Sequence, residues 1–300
     1  MGSSFEFIIV EKEEVGYELI EIAIAEVKRI ESLLTEFSTS SQTFHINQSA
    51  GIKSVPVDEE VYAIIKRSNE LSKLTQGAFD ISAVALRKLY NFKGHDFSFP
   101  DENQIRNTLD VVGYTKINLS IPNEVYLTKP GMHIAFGAVG KGYAADRVKK
   151  ILLEKGVGHA VINASGDLTA WGSRLDGTPW KVGIANPNNP SNMMAWLSID
   201  NASVATSGDY EQFFERKGVR YSHTIDPKTG HPVQGIKSVT IFGPRAELCD
   251  ALATAVTIMG VKVGLHFLEQ LPNTHGIIVN DRNKIFTSRY LKWNNPQPHE

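Results

Sequence analysis

Hydrophobic positions fall into two regimes along the chain. From Val15 to Phe37 they recur at Leu19, Ile20, Ala23, Ile24, Val27, Ile30 and Leu34, with charges on the opposite side. That spacing predicts an amphipathic helix. A second begins at VDEEVYAIIKRSNELSKLTQG, with Asp58 as N-cap and Gly77 past its end. A third starts near Asp101, and a fourth spans Gly137 to Lys155 after a glycine-rich turn. Ahead of all of these, FEFIIV reads as a strand. Short apolar runs at 117–119 and 124–127 read as strands too. The second half changes period: HAVINA (159–164), WKVGIA (180–185), MAWLSI (194–199), ASVATS (202–207), SVTIFG (238–243) and GIIVN (276–280) are strand-like. Helices at about 244–259 and 262–270 separate the last two strands. The polar stretch STSSQTFHINQSAG (38–51) breaks periodicity and reads as a loop. The class is mixed α/β (α+β), helices early and strands late.

Composition narrows the function classes. The 300 residues are 42% hydrophobic and 21% charged, with a net charge of −2. That balance gives no electrostatic reason to expect nucleic acid or an anionic membrane as partner. One cysteine, Cys249, excludes an internal disulfide framework and any multi-cysteine metal site. No uninterrupted apolar run reaches about 18 residues, so no membrane-spanning segment is expected. MGSSFEFIIV lacks a basic flank and a long apolar core, so it does not read as a secretory signal, which leaves a cytoplasmic or a trimmed form.

Four stretches carry candidate chemistry. GAVGKGYAAD (137–146) opens a helix with small residues, whose exposed N–H groups and dipole favour an anion, and Lys141 adds a positive charge. It is neither a Walker loop nor GxGxxG, and close helix packing explains it equally well. In DALAT (250–254), Asp250 and Thr254 share a helix face and offer hard oxygens suited to Mg²⁺, or simply a polar side. In YSHTIDPKTGHPV (221–233), DPKTG is a turn former and His223 lies just before it. Histidine titrates near pH ~6.5, the range for accepting a proton from a hydroxyl, although a lone His is more often structural. Asp226 could orient that histidine or cap the turn. GAFD (77–80) ends a helix and presents Ala78, Phe79 and Asp80 in a turn.

Taken in order, MGSSF, ESLLTEFSTSSQTFHIN (31–47), GAFD, GAVGKGYAAD, INASGDL (162–168), ATSGDY (205–210), YSHTIDPKTGHPV and DALAT resemble the motif series of the ApbE family, the FAD:protein FMN transferases. The resemblance implies one domain over residues 1–300, related to T-fold modules, with two lobes meeting at an FAD cleft. It implies transfer of FMN from FAD to a threonine or serine of an acceptor protein, with release of AMP and with Mg²⁺ as cofactor. Some members hydrolyse FAD to FMN and AMP instead, and a flavin-binding protein without turnover is a further alternative. Acceptors in the family are often subunits of membrane redox complexes, and members are commonly exported.

By position, the resemblance places Met1, Phe37, Ala78, Phe79, Asp80 and Lys141 against FAD. It gives the Ala138 carbonyl, Asp250 and Thr254 to the metal, and makes His223 the proton acceptor. The chain departs from the family pattern at Phe37 (usually Tyr), Ala135 (often acidic), Thr35 (often Ser) and Ala164-Ser165 (often Gly-Gly). These changes are expected to alter binding more than chemistry.

Overall fold

The computed structural model describes residues 3–92, 99–208, 213–216, 219–289 and 291. In chain order it begins with β1 (Phe5–Ile9), α1 (Glu13–Leu34), α2 (Gln42–Gln48), β2 (Val55–Pro56), α3 (Glu59–Leu74), α4 (Val84–Arg87), α5 (Glu102–Leu109), β3 (Ile117–Asn118) and β4 (Glu124–Leu127). There follow α6 (Gly140–Glu154), β5 (Ala160–Ala164), β6 (Asp167–Trp171), β7 (Trp180–Asn186), β8 (Asn189–Ile199) and β9 (Ala202–Gly208). The chain closes with β10 (Phe213–Arg216), β11 (Val219–Ser222), β12 (Ile236–Gly243), α7 (Ala246–Leu268), β13 (His275–Asn280) and β14 (Ile285–Thr287). Two compact units emerge: residues 1–28, 139–210 and 236–300 form the first, and residues 29–138 and 211–235 the second.

The first unit is built on a seven-stranded antiparallel sheet in the order β1-β5-β6-β9-β12-β13-β14. Both faces are covered, which is why its strands read as apolar runs rather than strict alternation. Ile162 faces Val148 and Leu152 of α6, while Val161, its neighbour, faces the β7–β8 ribbon through Trp180 and Leu197. Likewise Val239 and Ile241 pack on Leu252 and Val256 of α7, and Phe242 turns to the ribbon side. α7 is long and apolar enough to pass for a membrane span by length and composition alone, a test that the core helix of a folded domain also meets. Its buried side is part of this core. The two helices that the sequence predicts are present within α7, divided at Gly260 (φ 75°, ψ 177°), where the backbone leaves the helical region.

In the first unit α6 and α7 approach to backbone contact. A Cβ on Gly142 would lie 2.3 Å from the Ala246 carbonyl oxygen and 2.7 Å from the Glu247 nitrogen. The Asp146 carboxylate accepts the N–H groups of Ala246 (2.9 Å) and Glu247 (3.0 Å), so α6 caps the start of α7. Gly142→Ala gains about 1 kcal/mol of helix propensity. The clash is with main chain, which cannot swing aside, and overpacking of this kind costs about 1–3 kcal/mol or more. We expect net destabilisation, read as a lower denaturant midpoint at unchanged slope.

In the second unit α3 buries Val61, Ile64, Ile65, Ser68 and Ser72, one helical stripe. Asp58 stands at its N-cap without a capping hydrogen bond and instead receives one from the Gln42 side chain. The loop expected at 38–51 contains α2. Ser41 caps it by accepting the Phe44 N–H, and Asn47 fixes it by donating to the Ile134 carbonyl and accepting the Ile134 N–H. Polar anchoring, not an apolar stripe, holds this helix. Asp101 and Gln104 form the reciprocal capping box that starts α5. The β2-β4-β3 sheet and the β10–β11 hairpin complete the unit.

Candidate functional site

The charged centre of the first unit lies at the N-terminal turn of α6. Lys141 Nζ is 2.9 Å from Asp167 Oδ2 and 3.5 Å from Asp250 Oδ2. The Gly142 N–H also points at Asp250 Oδ2, at 3.4 Å, so a carboxylate occupies the anion-favouring end of the helix. Both carboxylates are sunk in protein: Asp167 is 2% exposed and Asp250 6%. Burial lowers the Lys141 pKa, but the charges of Asp250 and Asp167 outweigh it and hold the ammonium above the usual lysine range. Burial, followed by the charge of Asp250, drives the Asp167 carboxyl well above the usual range, with Lys141 opposing only in part.

Two acids share one ammonium in a low-dielectric setting, so ionising both leaves a surplus of negative charge, which a proton relieves, as the raised Asp167 pKa reports, or which a further cation would relieve. Asp167 Oδ2 meets Lys141 as an ion pair without hydrogen-bond alignment, so that buried oxygen has no well-formed hydrogen bond. The donors are hard oxygens, which fit Mg²⁺ rather than zinc. No group of three or more His, Cys, Asp or Glu is clustered among the described residues. A cation here would therefore need a hydroxyl, main-chain carbonyl, water or phosphate to fill its shell. Thr254 stands one turn beyond Asp250 on α7 and is half-buried. Ala138 is bonded to Val139, the N-cap residue of α6.

Of the residues expected at the site, Lys141 and Asp250 are thus brought together, with Thr254 on the same helix as Asp250. Sequence reasoning missed Asp167, because INASGDL was read as a turn. The turn is real: Ser165 (φ 51°) and Gly166 (φ 96°) link β5 to β6, and Ala164 pairs with Asp167. The overlooked signal was the one carboxylate in an otherwise uncharged run.

The second unit holds the other candidates. Phe37 is 85% exposed, an aromatic ring open to solvent. Phe79 is 1% exposed and Ala78 is also buried. Asp80 accepts the Ser82 N–H (2.8 Å), the Ser82 hydroxyl (2.7 Å) and the Tyr114 N–H (2.7 Å). Burial raises its pKa despite those bonds. His223 is half-buried just after β11. The turn beyond it is settled by Asp226, which accepts the Lys228 N–H and the Thr229 hydroxyl, while Gly230 N–H returns to the Asp226 carbonyl. Those bonds make Asp226 the cap of the turn. Met1 lies outside the described residues, as do Asp209 and Tyr210 of the ATSGDY segment.

Comparison with known proteins gives this arrangement a lineage. The model of the ApbE family matches residues 1–278. The chain belongs to the ApbE family. A relative in Treponema pallidum, an FAD:protein FMN transferase, is 31% identical over 274 residues, covering 86% of this chain and 76% of that protein. One in Klebsiella pneumoniae with the same name is 32% identical over 265 residues, covering 87% and 82%. The crystal structure of an ApbE protein from Thermotoga maritima superposes with a TM-score of 0.87 at 31% identity, covering 96% of this chain and 94% of that one. Lys141, Gly142 and Asp146 of the ApbE motif GAVGKGYAAD thus have distinct physical jobs here: pairing with carboxylates, close approach to α7, and capping α7.

Proposed function

We propose that this ApbE protein moves FMN from FAD to a threonine or serine hydroxyl of an acceptor protein and releases AMP. FAD:protein FMN transfer is the activity its curated relatives are named for. The observation that carries the reading onto this chain is the buried Lys141–Asp167–Asp250 cluster at the start of α6, a cation-seeking centre of hard oxygens.

In the reaction the acceptor hydroxyl oxygen bonds to the FMN phosphorus of the FAD diphosphate. The bond from that phosphorus to the bridging oxygen breaks, and the electron pair leaves with AMP. His223 accepts the hydroxyl proton as attack proceeds. Such a transfer asks for positioning and charge stabilisation above all. The Lys141 ammonium and the positive end of the α6 dipole stabilise phosphate oxygens. Asp250 and Thr254, with the Ala138 carbonyl, would hold Mg²⁺, which when bound supplies Lewis-acid polarisation of the diphosphate. Phe37, Ala78, Phe79, Asp80 and Met1 contribute to FAD binding. Phe37 keeps a ring for stacking and lacks the hydroxyl of a tyrosine. The acceptor we expect is a subunit of a membrane redox complex bearing a Ser/Thr-containing motif.

Incubating the protein with FAD, Mg²⁺ and such a subunit tests this directly. Mass spectrometry should show the acceptor heavier by one FMN, with AMP in equal amount. AMP formed at the same rate without acceptor, and no mass gain with it, would establish hydrolysis in place of transfer.

A further inference from the structure

We propose that Asp167 is a positioning residue, which draws the Lys141 ammonium away from Asp250 and so leaves Asp250 available to a divalent cation. The inference rests on the reading of Asp250 as a metal-holding residue. Of the two carboxylates at Lys141, Asp167 is the nearer, 2.9 Å against 3.5 Å. It is also the one with no part in the transfer chemistry.

The two acids are held by different elements. Asp250 stands on α7, whereas Asp167 begins β6. The backbone at Asp167 is fixed by the β5–β6 turn, where the Asn163 side-chain oxygen accepts the Gly166 N–H, and by the pairing of Asp167 with Ala164. Leu168, the next residue, is paired on both sides, with Asn163 of β5 and Val204 of β9. An anchor so fixed sets where the flexible lysine stem must end.

Stability gives no reason to keep this acid. Buried ion pairs, both partners together, are often replaceable by apolar side chains at no cost to the fold, so the pair itself is not explained by stability. The reason lies in competition. Lys141 carries one positive charge and is held in the first turn of α6. Without Asp167 that charge would settle wholly on Asp250 and oppose a second cation there. With Asp167 present the ammonium is neutralised elsewhere, and Asp250 keeps its affinity for a metal. Groups that orient or free a ligand in this way typically change metal affinity by about 10–100-fold.

Calorimetric titration of Mg²⁺ into the full chain, without FAD, decides the matter. Asp167→Asn, similar in shape but uncharged, should raise the Mg²⁺ Kd about tenfold. Adding Lys141→Met to that variant should bring the Kd back to the wild-type value, because the competitor is gone. Lys141→Met alone should bind Mg²⁺ more tightly than wild type. An unchanged Kd in Asp167→Asn overturns the proposal. So does a double variant as weak as Asp167→Asn, which would make Asp167 a metal ligand or a purely structural residue. If Asp167→Asn fails to fold by circular dichroism, Lys141→Met decides alone, and a Kd equal to wild type refutes the idea. Absence of Mg²⁺ binding by the wild-type protein would remove the metal from the proposed function itself and this inference with it. Binding by wild type with no response to the variants would remove only the inference.

Discussion

Asp250→Ala is expected to remove nearly all FMN transfer while the protein stays folded. Asp250 is the acid that meets both Lys141 and the Gly142 N–H, and it stands one helical turn before Thr254. Its removal takes away the carboxylate in the proposed metal set. A metal's stabilisation of developing charge is worth several kcal/mol, so the rate should fall about 10³-fold or more, the equivalent of about 4 kcal/mol. The fold tolerates the change because Lys141 retains Asp167 at 2.9 Å, and one ammonium against one carboxylate is a neutral pair. Leaving Lys141 with no acid at all would cost far more. The measurement is initial-rate mass spectrometry of the acceptor over a Mg²⁺ series, beside circular dichroism. Full activity in Asp250→Ala with chelator present would show that catalysis does not use this carboxylate.

His223→Ala should slow transfer by about 10²–10⁴-fold at saturating FAD, the span usual for general-base groups. FAD binding should be unchanged, so the loss appears in kcat and not in KM for FAD. The local fold does not depend on the imidazole to form its turn. Ser222 N–H reaches the Val233 carbonyl, Val233 N–H reaches the Thr224 carbonyl, and Asp226 closes the tip. Buried Ile225 and the Tyr90 hydroxyl on the Gly230 carbonyl secure the hairpin from below. A rate equal to wild type would take His223 out of the mechanism and return it to the role of a surface hydrogen-bonding group.

How much of this was legible beforehand depended on what held each element. The sheet strands 160–164, 238–243 and 276–280 announced themselves because burial on both faces demands unbroken apolar runs. The α3 helix was legible through its stripe of Val61, Ile64 and Ile65. Helix α2 was not, since it has no apolar stripe: Ser41 caps its start by accepting the Phe44 N–H, and Asn47 ties it to Ile134, 87 positions away. Strand β6 hid behind its own turn. For the site, Lys141 and Asp250 were each visible as local patterns, but 109 positions separate them, and no local pattern joins them. Asp167 escaped because a single acid has no periodicity. The role of His223 came from resemblance to the ApbE family, since a histidine before a turn has no chemical signature of its own.

The interleaving of the two units shapes how this protein is made. Strand β1 emerges from the ribosome before the other elements described, yet its register partner is β5, with Phe5 opposite Ala164. At synthesis rates of about 5–20 residues per second, Phe5 and Phe7 wait roughly 10–30 s for that strand. The sheet then stays open until β12 and β13 arrive, well after all of β5 and β6. Since neither unit is one continuous stretch of chain, no single cut releases either of them whole, and nascent chains halted anywhere before β12 expose apolar edges that holding chaperones would cover.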